Sequence, residues 1–279
     1  MQKIDTHLHL IYPDRLSYPW VDDVPPLQGA FKLEDYKKAA AGCGVAGTIF
    51  MEVDVAVGQS AEEVKWVQEL AQREGSGILG IISAARPEAD DFEARLDDVS
   101  VPLLKGVRRV LHTQPDALSQ SSRFRANLGR LSARGLTFDL CVLARQLPLA
   151  IELVDACPEV AFILDHCGVP DIAGGAYESW AVSMGKLAER KNVVCKISAL
   201  PTYCAPGATG AEVLRPWVER VIECFGWDRV IWGGDWPVCT LNGSLKAWVD
   251  ALDAILADES EAHRAALYAG NARRVYGTG

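Results

Sequence analysis

Several features that define common classes of protein are missing from this sequence of 279 residues. No run of lysine and arginine occurs anywhere, and the formal net charge at pH 7 is −9. Because nucleic acids and anionic lipid surfaces are bound by clustered basic residues, we expect neither as a partner. No apolar stretch approaches the roughly 20 residues that a membrane-spanning helix needs. We therefore expect no transmembrane segment.

Signals for export and for a cysteine scaffold are also missing. The chain does not start with a positively charged segment followed by an apolar stretch, so we expect no signal peptide and a cytoplasmic protein. None of the eight cysteines is spaced as Cys-x-x-Cys, which excludes a zinc ribbon. Several cysteines lie inside apolar runs, and a chain of this length can build a core without disulfides. We expect reduced, mostly buried thiols.

The sequence does contain a regular alternation of short apolar runs and helical patterns. Segments 60–74 and 244–259, for example, carry apolar residues at helical spacing. Eight strand-helix units at this length predict an α/β protein, a single-domain (β/α)8 TIM barrel over residues 1–279. An open doubly wound sheet is the alternative, but no glycine-rich turn follows the first strand. The predicted strands are 3–9, 47–54, 78–86, 103–112, 136–142, 161–166, 192–198 and 229–235.

Ionisable residues close nearly every predicted strand. The carboxyl ends of barrel strands meet at one face, where barrel enzymes have their active sites. Charged residues are scarce in apolar strands unless they are paired, so this convergence predicts one polar site. Alternation along the first strand places Asp5, His7 and His9 on the same side. The strand-end residues are His7, His9, Glu52, Asp54, Arg86, Arg108, His112, Asp139, His166, Lys196 and Asp235.

A set of short motifs resembles a known family. In chain order these are "DTHLHL", "GVRRVL", "ILDHCGVP", "CKISAL", "IWGGDWPV" and "GNARRVYG". Together they resemble the amidohydrolase superfamily, in the branch of fuconolactonases and 2-pyrone-4,6-dicarboxylate lactonases. The resemblance covers nearly the whole chain. It implies a TIM barrel that opens a small polar lactone, either sugar-derived or carboxylated, by attack of water on the carbonyl.

The resemblance also implies roles for individual residues. His7 and His9 match the pair that binds a divalent metal in metal-dependent members. Asp235 matches the strand-eight aspartate, which is a metal ligand and the general base for the hydrolytic water. His166 matches the histidine that lies against the substrate carbonyl. Arg108 matches an arginine that binds a substrate carboxylate or hydroxyl, although an internal ion pair with Glu52 is also open.

One departure from the family pattern concerns the metal. The predicted fifth strand, "LTFDLCV", has no lysine or histidine ligand, so we expect one metal ion rather than a bridged pair. Glu52 is the candidate to replace the missing ligand, or it is a charge partner only. Imidazole and carboxylate ligands suit Zn²⁺ and also Mn²⁺. A metal-independent mechanism stays open, because the pyrone-dicarboxylate lactonase works without metal.

Further residues are candidates for contacts with substrate. His112, Lys196 and Arg86 lie near the predicted site and favour an anionic or polyhydroxylated substrate. A structural role is open for each of the three. The long loop 11–32 is typical of a lid or binding loop, and its Tyr12 and Trp20 are predicted to stack on the substrate ring.

Two other functions compete with lactone hydrolysis. A metal-dependent decarboxylase of the same superfamily would share the barrel and the first histidine pair, but such decarboxylases use a strand-five histidine that is missing here. A catalytically silent binding protein on the same barrel is the second alternative. The expected partner is a small-molecule lactone, and a homo-oligomer is compatible with the sequence.

Overall fold

The computed structural model describes residues 1–278 and contains eight parallel strands that neighbour one another in chain order. This order confirms the predicted (β/α)8 barrel. Gly279, the last residue of the expected domain, lies outside the described residues. The strands are β1 (Lys3–Leu8), β2 (Val45–Met51), β3 (Ile78–Ala84), β4 (Leu104–Val110), β5 (Thr137–Cys141), β6 (Phe162–Leu164), β7 (Val193–Ile197) and β8 (Val230–Trp232).

The barrel closes where β8 and the residues after it meet β1. The backbone N–H of Asp235 donates to the carbonyl of His7 over 2.8 Å, and that of His9 donates to Trp236 over 2.9 Å. The Thr6 hydroxyl adds a bond to the Trp232 carbonyl. These contacts place the first and last strands side by side, so residues from opposite ends of the chain share one site.

Helices cover the outside of the barrel. Their apolar stripes pack on the strands, as the spacing of apolar residues predicts. The two helices predicted as 60–74 and 244–259 are present and slightly shorter, as α2 (Ser60–Ala71) and α8 (Leu245–Ile255). The helices are α1 (Leu33–Ala39), α2 (Ser60–Ala71), α3 (Phe92–Asp98), α4 (Ser122–Ala133), α5 (Leu147–Ala156), α6 (Tyr177–Ala188), α7 (Ala211–Phe225), α8 (Leu245–Ile255), α9 (Glu261–Ala265) and α10 (Asn271–Tyr276).

The apolar core has two layers. The larger layer lies between the strands and the surrounding helices. The smaller layer fills the inside of the barrel at its amino-terminal end and is closed from below by Ala269, Ala272 and Tyr276 of the last helical segment. Its strand residues are Ile4, Ile49, Met51, Ile82, Ile163 and Ile231.

The observed strands end one to three residues before the predicted ones, because the chain turns sharply at several carboxyl ends. Asp54 (φ 45°), His166 (φ 54°), Ala199 (φ 61°) and Asp235 (φ 56°) all have left-handed backbone conformations. Non-glycine residues adopt this region rarely, and such turns cluster at functional sites. Three of the four carry an ionisable side chain, so the turns aim side chains that a continuing strand would place differently.

All eight cysteines are free thiols and seven of them are buried, which confirms the expectation for these residues. Within residues 1–278, the helices are too short or too polar to cross a membrane.

Candidate metal and catalytic site

Three buried side chains converge at the carboxyl end of the barrel. The Nε2 atoms of His7 and His9 lie 3.6 Å and 3.4 Å from Oδ1 of Asp235. The Nδ1 atom of His9 is 3.0 Å from the Met51 carbonyl, which can only accept, so Nδ1 carries the proton and Nε2 is free to bind a cation. The three side chains thus offer two imidazole nitrogens and a carboxylate oxygen to one point.

His7 is oriented from both sides. Its Nε2 is 3.3 Å from Nη1 of Arg108 and its Nδ1 is 3.3 Å from Nζ of Lys196, and both partners can only donate. A cation bound at Nε2 would place the proton of the neutral ring on Nδ1. Nδ1 faces Oδ1 of Asp165 at 3.5 Å. Burial, and then the charge of Lys196, hold the pKa of His7 well below its usual value. The ring is therefore neutral, and a carboxylate supports the nitrogen that points away from the metal position, as in many metal sites.

A buried ion cluster lies beneath His7. The Lys196 ammonium is 2.8 Å from Oδ1 of Asp165 and 2.7 Å from Oδ1 of Asp139, and none of the three side chains is exposed. Burial alone would raise the pKa of Asp165, but Lys196 and then His7 hold it well below its usual value. Burial raises the pKa of Asp139 to about 7 against the pull of Lys196. The structure thus places Lys196 between two carboxylates beneath His7 and not at the surface of the cleft, where the predicted contact with substrate would need it.

His166 stands beside His7, with ring centroids 4.4 Å apart. Its Nδ1 is 2.8 Å from the Ser198 hydroxyl, so a serine O–H donated to Nδ1 leaves Nε2–H as a donor toward the cleft. Burial lowers the pKa of His166 to about 4, and the ring is neutral at physiological pH. The ring of Tyr203, in the turn after β7, packs edge-on at 6.4 Å.

Glu52 and Arg108 bind each other. Nε of Arg108 donates to Oε1 of Glu52 over 2.6 Å, and Nη2 donates to the Glu52 carbonyl over 2.8 Å. The other Glu52 oxygen accepts from the backbone N–H of Asp54. Among residues 1–278, the close ligand groups are His7–His9–Asp235 and His7–Asp165–His166, and neither includes Glu52. The ion pair that the sequence left open is the one observed, and Glu52 does not replace the missing strand-five ligand.

The other predicted substrate contacts divide into two groups. Arg86 and His112 stay near the cleft: Nη2 of Arg86 lies 3.0 Å from Asp54, and Nδ1 of His112 lies 3.1 Å from Sγ of Cys141. Trp20 is half-buried, and its Nε1 donates to the Val53 carbonyl beside these residues.

Tyr12 belongs to the second group, and its side chain lies in the core. It is only 5% exposed, its ring packs on Trp66 of α2, and its hydroxyl accepts from the Leu33 N–H. Its loop folds back onto α1 and α2, so the aromatic residue fills core instead of facing the cleft.

The side chain of Asp5 does not lie on the same side as the two histidines either. Its carboxylate accepts from the Tyr36 hydroxyl of α1 and from the backbone N–H groups of His7 and Gly234. The register of β1 against β2 shifts between Asp5 and Leu8, and this bulge breaks the simple alternation that the prediction assumed. Asp5 instead ties β1 to the chain after β8 at the barrel seam.

Sequence reasoning missed Asp165 and Tyr203. Asp165 follows directly after the apolar run of β6 and precedes His166, so two consecutive ionisable residues at a strand end were the available signal. Alternation would place only one of them inward, whereas the left-handed turn at His166 lets both contact His7. Tyr203 carried no comparable signal.

The donor set fits a divalent cation on charge as well as on geometry. Four buried carboxylates, those of Glu52, Asp139, Asp165 and Asp235, are accompanied by two buried cations, Arg108 and Lys196. Because the pKa of Asp139 is raised to about 7, one to two negative charges remain in a low-dielectric interior at neutral pH, which is costly unless compensated. A dication held by His7, His9 and Asp235 would balance them.

A family model described as amidohydrolase matches residues 4–278. The chain belongs to this family. Its relatives include the L-fucono-1,5-lactonase of Burkholderia ambifaria, which is 28% identical, with 98% of this chain and 95% of that protein covered. An uncharacterised protein, y4mH of Sinorhizobium fredii, is 29% identical over 98% of this chain and 97% of its own. A crystal structure of a zinc-bound amidohydrolase from Burkholderia multivorans superposes with a TM-score of 0.89, covers 99% of both chains and is 24% identical.

Proposed function

We propose that this protein hydrolyses small lactones to hydroxy acids, with one divalent metal ion in the site. The observation that carries the proposal is the placement of Asp235, whose Oδ1 lies within 3.6 Å of both strand-one histidine nitrogens. Membership of the amidohydrolase family and the similarity to an L-fucono-1,5-lactonase support it. A lactone is a cyclic ester, and its hydrolysis needs an activated water, a polarised carbonyl and a proton for the leaving ring oxygen.

His7, His9 and Asp235 would hold the ion. Two imidazoles and one carboxylate are a ligand set that zinc favours in catalytic sites, so Zn²⁺ is the preferred ion and Mn²⁺ the second choice. When bound, the ion supplies the Lewis acidity that polarises a carbonyl and eases deprotonation of water. The zinc-bound relative from Burkholderia multivorans supports this choice.

Asp235 moves the proton. Its left-handed backbone turns the carboxylate across the barrel mouth, between His7 and His9. The carboxylate accepts a proton from the attacking water as the C–O bond forms. When the tetrahedral intermediate collapses, the same proton goes to the ring oxygen, and the ring opens to the hydroxy acid.

His166 stabilises the developing negative charge on the carbonyl oxygen. With the Ser198 hydroxyl donating to Nδ1, the proton of the neutral ring is on Nε2, which then donates toward the cleft. A pre-oriented donor in a buried site typically contributes about 10²–10³ in rate. Arg108 lies behind His7 and is held by Glu52, so its role is to orient His7 and not to bind substrate.

The end of β5 argues against the decarboxylase alternative. Asp139 and Cys141 occupy the positions where the superfamily's decarboxylases were expected to place a histidine. Asp139 is bound to Lys196, and Cys141 is bound to His112.

The proposal is tested with purified protein as isolated. Metal content is measured by mass spectrometry, and proton release is followed on a panel of lactones that spans neutral sugar lactones, pyrones and muconolactones. We expect about one ion per chain, loss of lactonase activity after dialysis against a chelator, and better restoration by Zn²⁺ than by Mn²⁺. Full activity without metal would overturn the metal role. Carbon dioxide release from aromatic acids without lactone hydrolysis would overturn the function.

A further inference from the structure

The charged groups at the mouth of the barrel determine whether an anionic group of a substrate can be bound there. A substrate that bears a carboxylate or sulfonate away from its reacting carbonyl needs a cation to receive it. The two cations inside the barrel are not free to do so. Arg108 is 5% exposed and donates to both the side chain and the carbonyl of Glu52, and Lys196 is fully buried between Asp139 and Asp165.

The loops that follow the eight strands form the rest of the mouth, and we call them the face loops. They contain four basic residues, and each already has a partner. Arg15 stacks on the Trp66 ring at 3.7 Å. The other three face carboxylates: Lys32 with Asp14 (3.7 Å), Arg86 with Asp54 (3.0 Å) and Arg145 with Asp116 (2.7 Å). The face loops are residues 9–32, 52–59, 85–91, 111–121, 142–146, 165–176, 198–210 and 233–244.

Acidic residues dominate the same loops, with twelve aspartates and glutamates against the four basic residues. Five of the twelve pair with basic residues from outside the loops, which leaves an excess of three negative charges. A bound dication would reduce this excess to one, so the face offers no net positive charge to an anionic ligand. The five are Glu52, Glu88, Asp90, Asp91 and Asp165. An anionic group that binds Arg86 would also have to displace Asp54 and leave that carboxylate unpaired, so no ion pair is gained.

The groups that do face the cleft suit hydroxyl groups. Asp54 accepts from Arg86 and has a second carboxylate oxygen, His112 is half-buried with Nδ1 on Cys141, and His166 keeps its Nε2 for a further partner. Carboxylates and imidazoles are ordinary partners of sugar hydroxyls. We propose that the substrate is a neutral, hydroxyl-bearing lactone and that lactones with a carboxylate or sulfonate are rejected. This inference rests on the proposed lactonase activity and narrows its substrate class.

The direct test compares matched pairs of aldonolactones and aldarolactones. The members of a pair have the same ring and stereochemistry and differ in a terminal hydroxymethyl or carboxylate group. With metal-loaded protein, we expect kcat/KM to favour the neutral member of each hydrolysed pair by tenfold or more. Equal or better turnover of the carboxylate member would overturn the inference and leave the lactonase proposal standing. Failure to hydrolyse any lactone would overturn the lactonase proposal, and the inference with it.

A variant sharpens this test. Asp54→Asn removes the partner of Arg86, so we expect the preference for the neutral member to fall about threefold to tenfold, through a lower KM for the carboxylate member. The matched control is Asp250→Asn on α8, which changes the net charge equally and frees Lys246 on the outer surface. The control should leave the preference unchanged. An unchanged preference in Asp54→Asn, or an equal shift in both variants, would show that the Arg86–Asp54 pair does not decide selectivity.

Discussion

The two ends of the barrel interior are built on opposite principles, although the same strands form both. At the amino-terminal end the strands contribute mainly apolar side chains, such as Ile4 of β1 and Ile231 of β8. A few residues later, the same two segments contribute His7 and Asp235. The lower end is held by apolar packing, and the upper end contains buried charges whose desolvation costs free energy. In this barrel, apolar packing at the lower end stabilises a fold that can hold buried charged residues at the upper end.

The backbone also changes at the upper end. Several strands leave the sheet there through left-handed residues such as Asp54 and Asp235. The pairings from β4 to β8 keep a regular register, whereas those from β1 to β4 contain register shifts. Variants at the two ends should therefore have different signatures: loss of metal binding or activity at the upper end, and loss of stability at the lower end.

The largest effect is expected for Asp235→Asn. Asparagine tolerates the left-handed backbone, so the fold should persist. The variant loses the proton shuttle and a charged ligand, and kcat/KM for lactone hydrolysis should fall by about 10³-fold or more. Steady-state kinetics and thermal unfolding check both parts, with Asp253→Asn at the lower end as the carboxylate control. Near-normal turnover would remove Asp235 from the mechanism.

The second-largest effect is expected for Lys196→Met. It removes the cation between Asp139 and Asp165 and leaves two buried carboxylates facing each other, which typically costs about 3–5 kcal/mol of unfolding free energy. Asp165 would no longer be held against His7, so metal affinity should fall about 10–100-fold. A loss of this size is typical when a residue that supports a metal ligand is removed. Chemical denaturation and chelator competition measure the two effects.

Lys3→Met is the matched control for Lys196→Met. Lys3 is also a buried lysine with a carboxylate partner, Asp253 at 3.0 Å, but it lies at the lower end. It should lower stability less and leave metal affinity unchanged. An equal loss of metal affinity in both variants would mean that Lys196 acts through general destabilisation.

A smaller effect, on the pH dependence of the unfolding free energy, is expected for His166→Gln in metal-free protein. The folded pKa of His166, about 4, lies below the unfolded value of about 6.5. The unfolded chain therefore binds more protons between these values, and the contribution of His166 to stability is present above pH ~6.5 and lost as the pH falls toward ~4. His166→Gln should flatten the pH dependence of the unfolding free energy in this window by up to about 1.4 kcal/mol per pH unit. Parallel curves for both proteins would contradict the assigned pKa direction.

The smallest effect is expected for Ile231→Val at the lower end. Removing one methylene from this fully buried side chain should cost about 1 kcal/mol of unfolding free energy. Metal affinity and kcat/KM should stay as in the native protein. A change in metal affinity would show that the two ends are coupled through β8.

The two ends also differ in how well sequence predicts them. Apolar runs with alternating helices are enough to predict eight strands, since packing on both faces demands that pattern. The convergence of His7, His9 and Asp235 follows from the fold alone once the strands close. Residues whose placement depends on a local backbone irregularity were not predictable in this way. The bulge in β1 redirects Asp5, and the turn at His166 lets Asp165 reach His7.

The partners of several side chains inside the site could also not be predicted from the sequence. Glu52 had the chemistry of a ligand and of an ion-pair partner, and only the distance to Arg108 decides between them. Lys196 and Tyr12 had the chemistry of substrate contacts, but one is fully buried beneath His7 and the other packs on Trp66. The residue type determines which interactions a side chain can make, whereas the direction of the backbone determines which partners lie within its reach.

The most direct measurement is a crystal structure of the zinc-loaded protein with anomalous data at the zinc edge. A single peak coordinated by His7 Nε2, His9 Nε2 and Asp235, with Lys196 still on Asp139 and Asp165, is the predicted result. A peak on Asp165 and His166, two peaks, or no peak in protein that hydrolyses lactones at full rate would contradict it.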